Sequence, residues 1–375
     1  MTEQQKTALL PAGLRDLLPH EAEQEASLIA TAMRRITRHG YLRVKPPLVE
    51  FEGSLNAYSH GQNGNHAFRV LDPHSQAMMA VRADMTPQIA RIAQSRLAHQ
   101  PRPLRLGYQG QILRVSGSQL RPDRQFTQVG AEMIGADCAE ADAEVISVAV
   151  LALKDTGLSR LSVDLNIPGG VSQLLPAGQE PALLLQALEH KDIGSLQRLC
   201  GHDHLLVRLA QAAGPAPAAF AALAALDLPA AFAGWVQRLE RITACLQGML
   251  PEISITVDPI EQRGFEYHEG VGFSIFAPGA QIELGRGGRY ITAGDPTEVA
   301  TGATLFMDVW RTLVPVPAAP KTIMVPHQTS APALDALHQA GYVTIAALAD
   351  TAPLRQQAAA CGCVAVYENG QAKTL

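Results

Sequence analysis

The sequence predicts an α+β fold: an antiparallel sheet with flanking helices, a helical insertion and a small C-terminal α/β unit. Three observations predict it. Short alternating segments and helical stripes are interleaved through residues 1–169 and resume at 251–315. Residues 170–250 shift to alanine and leucine broken by proline and glycine, with no strand pattern. Beyond the proline-rich "PVPAAP" at 315–320, residues 321–375 alternate strand and helix signals. At 375 residues the chain exceeds one ordinary core, so these segments read as core, insertion and terminal domain.

The elements follow in order. Leu28, Ile29, Ala32, Met33 and Ile36 form a helical stripe within residues 20–39, and Gly40 is a natural stop. "YLRVKPPLVEF" is extended, and its proline pair suits an edge or an interface. "HAFRVLDPHSQAMMAVRAD" reads as two strands around "DPHS". "TPQIARIAQSRLAH" begins a helix with Thr86 as N-cap and Pro87 at the first helical position. "LRLGYQGQILRVS" and "RQFTQVGAEMIG" are two strands joined by "GSQLRPD"; an apolar helix over 138–156 ends at Gly157, and "LSVDLNI" is a short strand. After the insertion come "ISITVD", "GFSIFA", "QIELG" and "GGRY", then a last strand running into a helix over 298–314. "KTIMVPH", "YVTIAAL" and "CVAVYEN", separated by helices, suggest a βαβαβ unit.

Composition excludes several classes. Hydrophobic content of 47% and charged content of 17% exclude disorder. No apolar run reaches the roughly 18 residues of a membrane span, and no signal peptide is expected, so the reading is cytoplasmic with no membrane partner. Five cysteines without a C-x-x-C pair favour reduced thiols over zinc or disulfides; "CGC" at 361–363 is a weak soft-metal pattern. A net charge of −5 gives a polyanion partner no support. No cofactor is called for.

The stretch "RQFTQVGAE", Arg124 to Glu132, carries the functional question. As a strand it puts Val129, Ala131 and Met133 on one face and Gln128, Gly130 and Glu132 on the other. An amide and a carboxylate thus flank a residue without a side chain. Either this is an ordinary half-exposed strand, or something small and cationic sits over Gly130. The glycines of "LGRGGRY" have no helix after them, which favours a crowded strand over a phosphate loop.

The order of these pieces resembles the catalytic core of class II aminoacyl-tRNA synthetases, and closely that of histidyl-tRNA synthetase, over roughly residues 10 to 315. "GYLRVKPPLVE" is similar to motif 1 at Gly40, Pro47 and Glu50, and "RADMT" at 82–86 to the stretch Arg-Pro-Glu-Gly-Thr. "GQILRVSGSQLRPDRQFTQVGAE" resembles motif 2 at Arg114, Arg124, Gln125, Phe126, Gln128, Gly130 and Glu132. "RGFEYH" at 263–268 is similar to the histidine-specific Arg-Gly-Leu-Asp-Tyr-Tyr, and "GGRY" at 287–290 also matches. The resemblance implies a histidine-binding pocket of Asp84, Thr86, Gln128, Glu132, Arg263, Tyr267 and His268. Carboxylates suit the cationic groups of free L-histidine, and an arginine suits its carboxylate.

The departures point away from adenylate chemistry. Arg114 matches the motif 2 arginine, a vestige of a nucleotide site. The following acid and arginine are Ser116 and Gly117, and a later loop arginine aligns with Pro122. Motif 3, Gly-Phe-Ala-x-Gly-x-Glu-Arg, is "GATLFMDV" at 302–309, with Val309 for the arginine; Arg311 lies about 200° away round a helix. The terminal domain is about half the usual anticodon-binding length. A synthetase core with these features resembles the regulatory subunits of ATP phosphoribosyltransferase. That resemblance implies no catalysis by this chain, a homodimer inside a hetero-oligomer with the short-form catalytic subunit, histidine as feedback signal and no tRNA partner. The rivals are an active histidyl-tRNA synthetase, another histidine-dependent ligase, and a scaffold with a vestigial pocket.

Overall fold

A computed structural model describes residues 9–58, 67–171, 174–175, 181–261, 268–294, 296–348 and 352–375. Backbone proximity divides the chain into two units, Met1–Pro315 and Val316–Leu375. The segment carrying the helices Pro181–Glu189, Ile193–Cys200, Leu205–Gln211, Ala216–Ala224 and Ala230–Met249 groups with the first unit.

The first unit is built on a nine-stranded sheet. Its strands are β1 (Leu42–Val44), β5 (Leu104–Leu113), β6 (Gln125–Ile134), β7 (Ser162–Asn166), β8 (Gly214–Pro215), β9 (Ser254–Asp258), β10 (Gly272–Phe276), β11 (Gly285–Ile291) and β12 (Val299–Phe306). Their spatial order is β1-β5-β6-β12-β11-β10-β7-β9-β8. The centre is antiparallel as expected, but β1 runs parallel to β5 and β7 parallel to β9, so the sheet is mixed. A second sheet, β2 (Val49–Phe51), β4 (Met78–Val81) and β3 (Arg69–Leu71), is antiparallel.

The alternation read in "RQFTQVGAE" sets the two faces of the large sheet. Val129, Ala131 and Met133 enter the main core with the helices Pro19–Arg38 and Ala139–Asp155. The opposite face carries Phe126, Tyr108, Leu106, Tyr290 and Phe306, closed by Met85, Ile89 and Ala93 of the segment around the helix Thr86–Gln94. The proline pair is tied to that helix. Gln88 donates to the Pro47 carbonyl at 2.9 Å and to Glu50 at 2.9 Å, and Arg91 grips Glu50 with two bonds. Buried Arg82 donates to the Pro46 and Pro47 carbonyls at 3.1 and 3.2 Å.

Several local expectations are corrected. Met85, not Thr86, occupies the N-cap position, and no side chain caps that helix; the Thr86 hydroxyl is committed elsewhere. "QIELG" is not a strand, because the chain turns there and β11 begins only at Gly285. The insertion contains a two-residue strand, β8, whose pairing with β9 exceeds what Gly-Pro signals. In the terminal unit β13 (Lys321–Val325), β14 (Tyr342–Ala346) and β15 (Ala365–Glu368) are parallel as expected, and β16 (Gln371–Thr374) adds an antiparallel edge through a turn at Asn369 and Gly370, both with positive φ.

Close packing makes one glycine testable against another. A Cβ on Gly130 would overlap the Tyr108 phenol and the Ala303 carbonyl, whereas one on Gly234, within the helix Ala230–Met249, would meet nothing within 4 Å. Gly130→Ala is expected to cost about 1–3 kcal/mol in urea unfolding. Gly234→Ala should be neutral or stabilise by up to about 1 kcal/mol. Equal effects at both positions would contradict the packing described.

Candidate functional site

The β-ladder lines up a row of residues on one face. Leu106, Glu132, Gly302, Gly288, Gly272, Asn166 and Asp258 are successive register neighbours across β5, β6, β12, β11, β10, β7 and β9. Three glycines in the middle leave the sheet bare, and large side chains lie flat across it. A Cβ on Gly302 would run into the Glu132 carboxylate, and one on Gly288 would sit 2.6 Å from Cδ2 of His268. The tenant of Gly130 is therefore the Tyr108 ring from the neighbouring strand, not a free ligand.

Glu132 is 1% exposed and surrounded by hydroxyls. Thr86 Oγ1 donates to its Oε1 at 3.0 Å, Tyr108 OH to the same oxygen at 3.2 Å, and Tyr290 OH to Oε2 at 3.0 Å. Tyr108 also exchanges a 2.8 Å hydrogen bond with Thr304. Burial pushes the Glu132 carboxyl up to about 8, against the pull of the Tyr290, Thr86 and Tyr108 hydroxyls, with Asp84 adding to the rise. Burial likewise holds the Tyr108 phenol well above its ordinary range.

Gln128 and Asp84 meet at the start of the helix Thr86–Gln94. The Met85 amide donates to Asp84 Oδ1 at 2.8 Å and to Gln128 Oε1 at 3.0 Å. Gln128 is buried and Asp84 half-buried. The same strands then run to a basic, aromatic end. Arg114 lies over the Phe126 ring at 5.2 Å and donates to the Ala83 carbonyl at 3.4 Å. Burial lowers its pKa, opposed by the charge of Asp84 and reinforced by Arg286 and Arg121.

Of the predicted site residues, Asp84, Thr86, Gln128, Glu132 and His268 gather on this face, with Arg114 beside Asp84. Arg263 and Tyr267 lie outside the described residues. Sequence reasoning missed Tyr108, Tyr290 and Thr304. Tyr290 ends the quoted "GGRY", and the β5–β6 pairing puts Tyr108 opposite Gly130, so both carried a signal once the strands were paired. It also missed Asn166, which is fully buried and whose amide atoms find no hydrogen-bond partner among the described residues. Arg311 is buried in an ion pair with Glu21 at 2.8 Å, a partner on the helix Pro19–Arg38. Among the described residues no group of three His, Cys, Asp or Glu is arranged to hold a metal, and no helix is long and apolar enough to cross a membrane.

Comparisons with known proteins identify the fold and the family. The family model for histidyl-tRNA synthetase matches residues 13–309. An ATP phosphoribosyltransferase regulatory subunit from Paramagnetospirillum magneticum is 49% identical over 368 residues, 97% of each chain. One from Gluconobacter oxydans is 42% identical over 380 residues, covering 100% of this chain and 99% of that one. Among solved structures, an ATP phosphoribosyltransferase regulatory subunit/histidyl-tRNA synthetase from Bacillus halodurans superposes with a TM-score of 0.80 at 24% identity, covering 94% and 96% of the two chains. Histidyl-tRNA synthetase from Nostoc gives 0.75 at 18% identity, covering 96% and 90%. The fold is that of the class II synthetases, and the whole-length likeness at 42–49% identity makes the chain a member of the ATP phosphoribosyltransferase regulatory subunit family.

Proposed function

We propose that this chain is a non-catalytic regulatory subunit that works in the cytoplasm with a short-form ATP phosphoribosyltransferase catalytic subunit in the first step of histidine biosynthesis, and that it reads free histidine. The observation that carries the reading is the Glu132 site: a buried carboxyl with three hydroxyl donors beside the Asp84–Gln128 pair, in a chain alike over its whole length to regulatory subunits. A cationic ammonium or imidazolium entering this site would favour loss of the Glu132 proton and pair with the carboxylate so formed, and Arg263, Tyr267 and His268 complete the proposed pocket. The reading of no adenylate chemistry rests on Val309, Ser116 and Gly117. Arg311 supports it, because its guanidinium is already committed to Glu21. The residues 1–169 and 251–315 form the proposed synthetase-like core, 170–250 an insertion and 321–375 a separate terminal domain.

A homodimer is part of the proposal. β1 is an edge strand of the large sheet and carries exposed Leu42; Leu48, Phe51 and Val70 are exposed too, and Phe51 and Val70 flank Met79 as register neighbours on the three-stranded sheet. Exposed apolar patches mark contact surfaces. Light scattering of the isolated chain should give twice the 40.0 kDa chain mass. Phe51→Glu should shift the population toward monomer, and a monomeric original protein at micromolar concentration would contradict the dimer.

The function is tested by reconstitution. The catalytic subunit with ATP and phosphoribosyl pyrophosphate should gain activity on adding this chain, and histidine should reverse the gain. Glu132→Ala removes an acceptor whose loss costs about 2–5 kcal/mol when the pair is buried, so histidine binding by calorimetry should fall beyond detection. Activity indifferent to the chain would end the regulatory reading; histidine affinity unchanged by Glu132→Ala would move the sensor elsewhere. Histidine-dependent pyrophosphate exchange by this chain would revive the synthetase reading.

Glu132 also sets a pH signature. Its folded pKa of about 8 lies above the ordinary 4.5, so the folded state holds this proton more tightly than the unfolded chain. Its contribution to stability is full below pH 4.5 and is lost as pH rises through about 8. Glu132→Gln, which stays neutral, should therefore gain in Tm relative to the original protein between pH 6 and pH 9. A difference that is flat across that range would mean Glu132 is not held protonated.

A further inference from the structure

The loop between β5 and β6 inserts one side chain into the protein. Residues 115–120 and Pro122 are exposed, yet Arg121 between them is only 7% exposed. The tip is folded locally: the Ser118 amide donates to the Arg121 carbonyl at 2.8 Å, and the Arg121 amide donates to Ser118 Oγ at 3.0 Å. Gly117 permits the turn, since a Cβ there would stand 2.5 Å from the Pro122 carbonyl oxygen.

The guanidinium at the end of this finger fills an aromatic and acidic socket. Its carbon lies 4.1 Å from the Phe306 ring centroid and 5.4 Å from that of Phe126, two rings packed edge to face. Nε is 3.1 Å from Asp308 Oδ2, and Nη2 is 3.9 Å from Glu283. Arg114 lies 5.2 Å from the Phe126 centroid, and Arg286, paired with Glu283 at 3.6 Å, stands 5.4 Å over Phe306. Arg114 has no ion pair among the described residues. Three guanidiniums around two aromatic rings form a setting for a flat ring carrying phosphates: the rings stack it, and the cations hold its charge.

The finger is imperfectly bonded where it sits. Arg121 Nε and Nη2 and Asp308 Oδ1 are buried with no well-formed hydrogen bond, so charge attraction holds the contact without satisfying its atoms. A buried polar group left in that condition is costly, which makes the finger displaceable rather than welded.

We propose that Arg121 is a plug supplied by the chain itself, occupying the ring position of a site for a purine nucleotide and keeping such a ligand from Arg114 and Arg286. This deepens the non-catalytic reading of the proposed function and adds a second reason for it. Missing grips weaken nucleotide binding, and a self-inserted side chain denies the ring its place. The departures at 117 and 122 also acquire a structural sense, because Gly117 and Pro122 shape the turn that aims Arg121 inward.

Calorimetry with MgATP and with inorganic tripolyphosphate tests it. Arg121→Ala should bind MgATP at least tenfold more tightly than the original protein, despite losing a positive charge, while tripolyphosphate, which has no ring, gains nothing. Asp308→Asn, which leaves the loop sequence intact, should loosen the finger and shift MgATP affinity in the same direction; it decides the matter if Arg121→Ala unfolds early. MgATP affinity unchanged or weakened in both variants overturns the plug, as does an original protein that already binds as tightly as they do. Histidine titration of the same variants reads the Glu132 end, so failure of the sensor reading and failure of the plug remain distinguishable.

Discussion

Burying the Glu132 carboxyl in the middle of the large sheet constrains everything around it. A carboxyl removed from water needs either a proton or a complete set of donors, and this one has three hydroxyls and a raised pKa. Each donor fixes an element. Thr86 sets the start of the helix Thr86–Gln94, Tyr108 pins β5 against β6, and Tyr290 fixes β11. The space for this arrangement comes from residues without side chains, since Gly302 leaves room for the carboxylate and Gly130 for the Tyr108 ring. A polar core of this kind is stable only when its geometry is complete, so the glycines are as much part of the site as the acid.

The same two strands, β6 and β12, carry a second end with opposite chemistry. From Glu132 to Phe126 the strand advances six residues, about 20 Å at a normal strand rise. The chain passes from a carboxyl under hydroxyls, through Gln128 beside Asp84, to two phenylalanines under three arginines. Acceptors at one end and cations at the other suit a ligand or pair of ligands with both charges. The cationic end is turned inward: Arg121 is spent on Asp308 and the rings, and Arg286 pairs with Glu283 at 3.6 Å. The Glu132 end carries the carboxyl and amide oxygens on which the proposed recognition of an amine rests.

Local pattern made much of this legible. The period of two in residues 124–132 put Gln128 and Glu132 on one face and was enough to identify the sheet's polar side. The motif-like segments named Asp84, Thr86 and His268 as neighbours of that face although they are distant in sequence. Other features depend on pairing and packing that a linear pattern does not encode. Thr86 reads as an N-cap because threonine before proline usually is one, but a buried acid 46 residues away takes its hydroxyl. Tyr108 and Tyr290 reach Glu132 only through strand register. Arg121 sits among loop residues whose composition says solvent, and nothing short of the loop's fold reveals that it points inward. The terminal hairpin to β16 was hidden for a similar reason: "QAKT" is polar and gains its strand character from β15.

The helix Thr86–Gln94 gives the Glu132 site a physical connection to the exterior. Its first residue donates to Glu132, while Gln88 and Arg91, further along, hold Glu50 and the Pro47 carbonyl. Beyond those prolines lie exposed Leu48 and Phe51, on the surface proposed to meet a second copy. A ligand that draws the proton from Glu132 changes what the Thr86 hydroxyl must satisfy, and with it the balance of forces at the helix start. That change reaches the dimer face only if the two states of the site hold Glu50 and the proline pair differently, because a ligand shifts an equilibrium by no more than its difference in affinity for the two states. The bonds of Arg91 and Gln88 to Glu50 make such a difference physically available: they are charge-assisted, partly buried and carried by the same rigid helix. The helix is bonded to Glu132 at its first residue and to Glu50 from Gln88 and Arg91, so the proposed signal would need no catalytic step to pass along it.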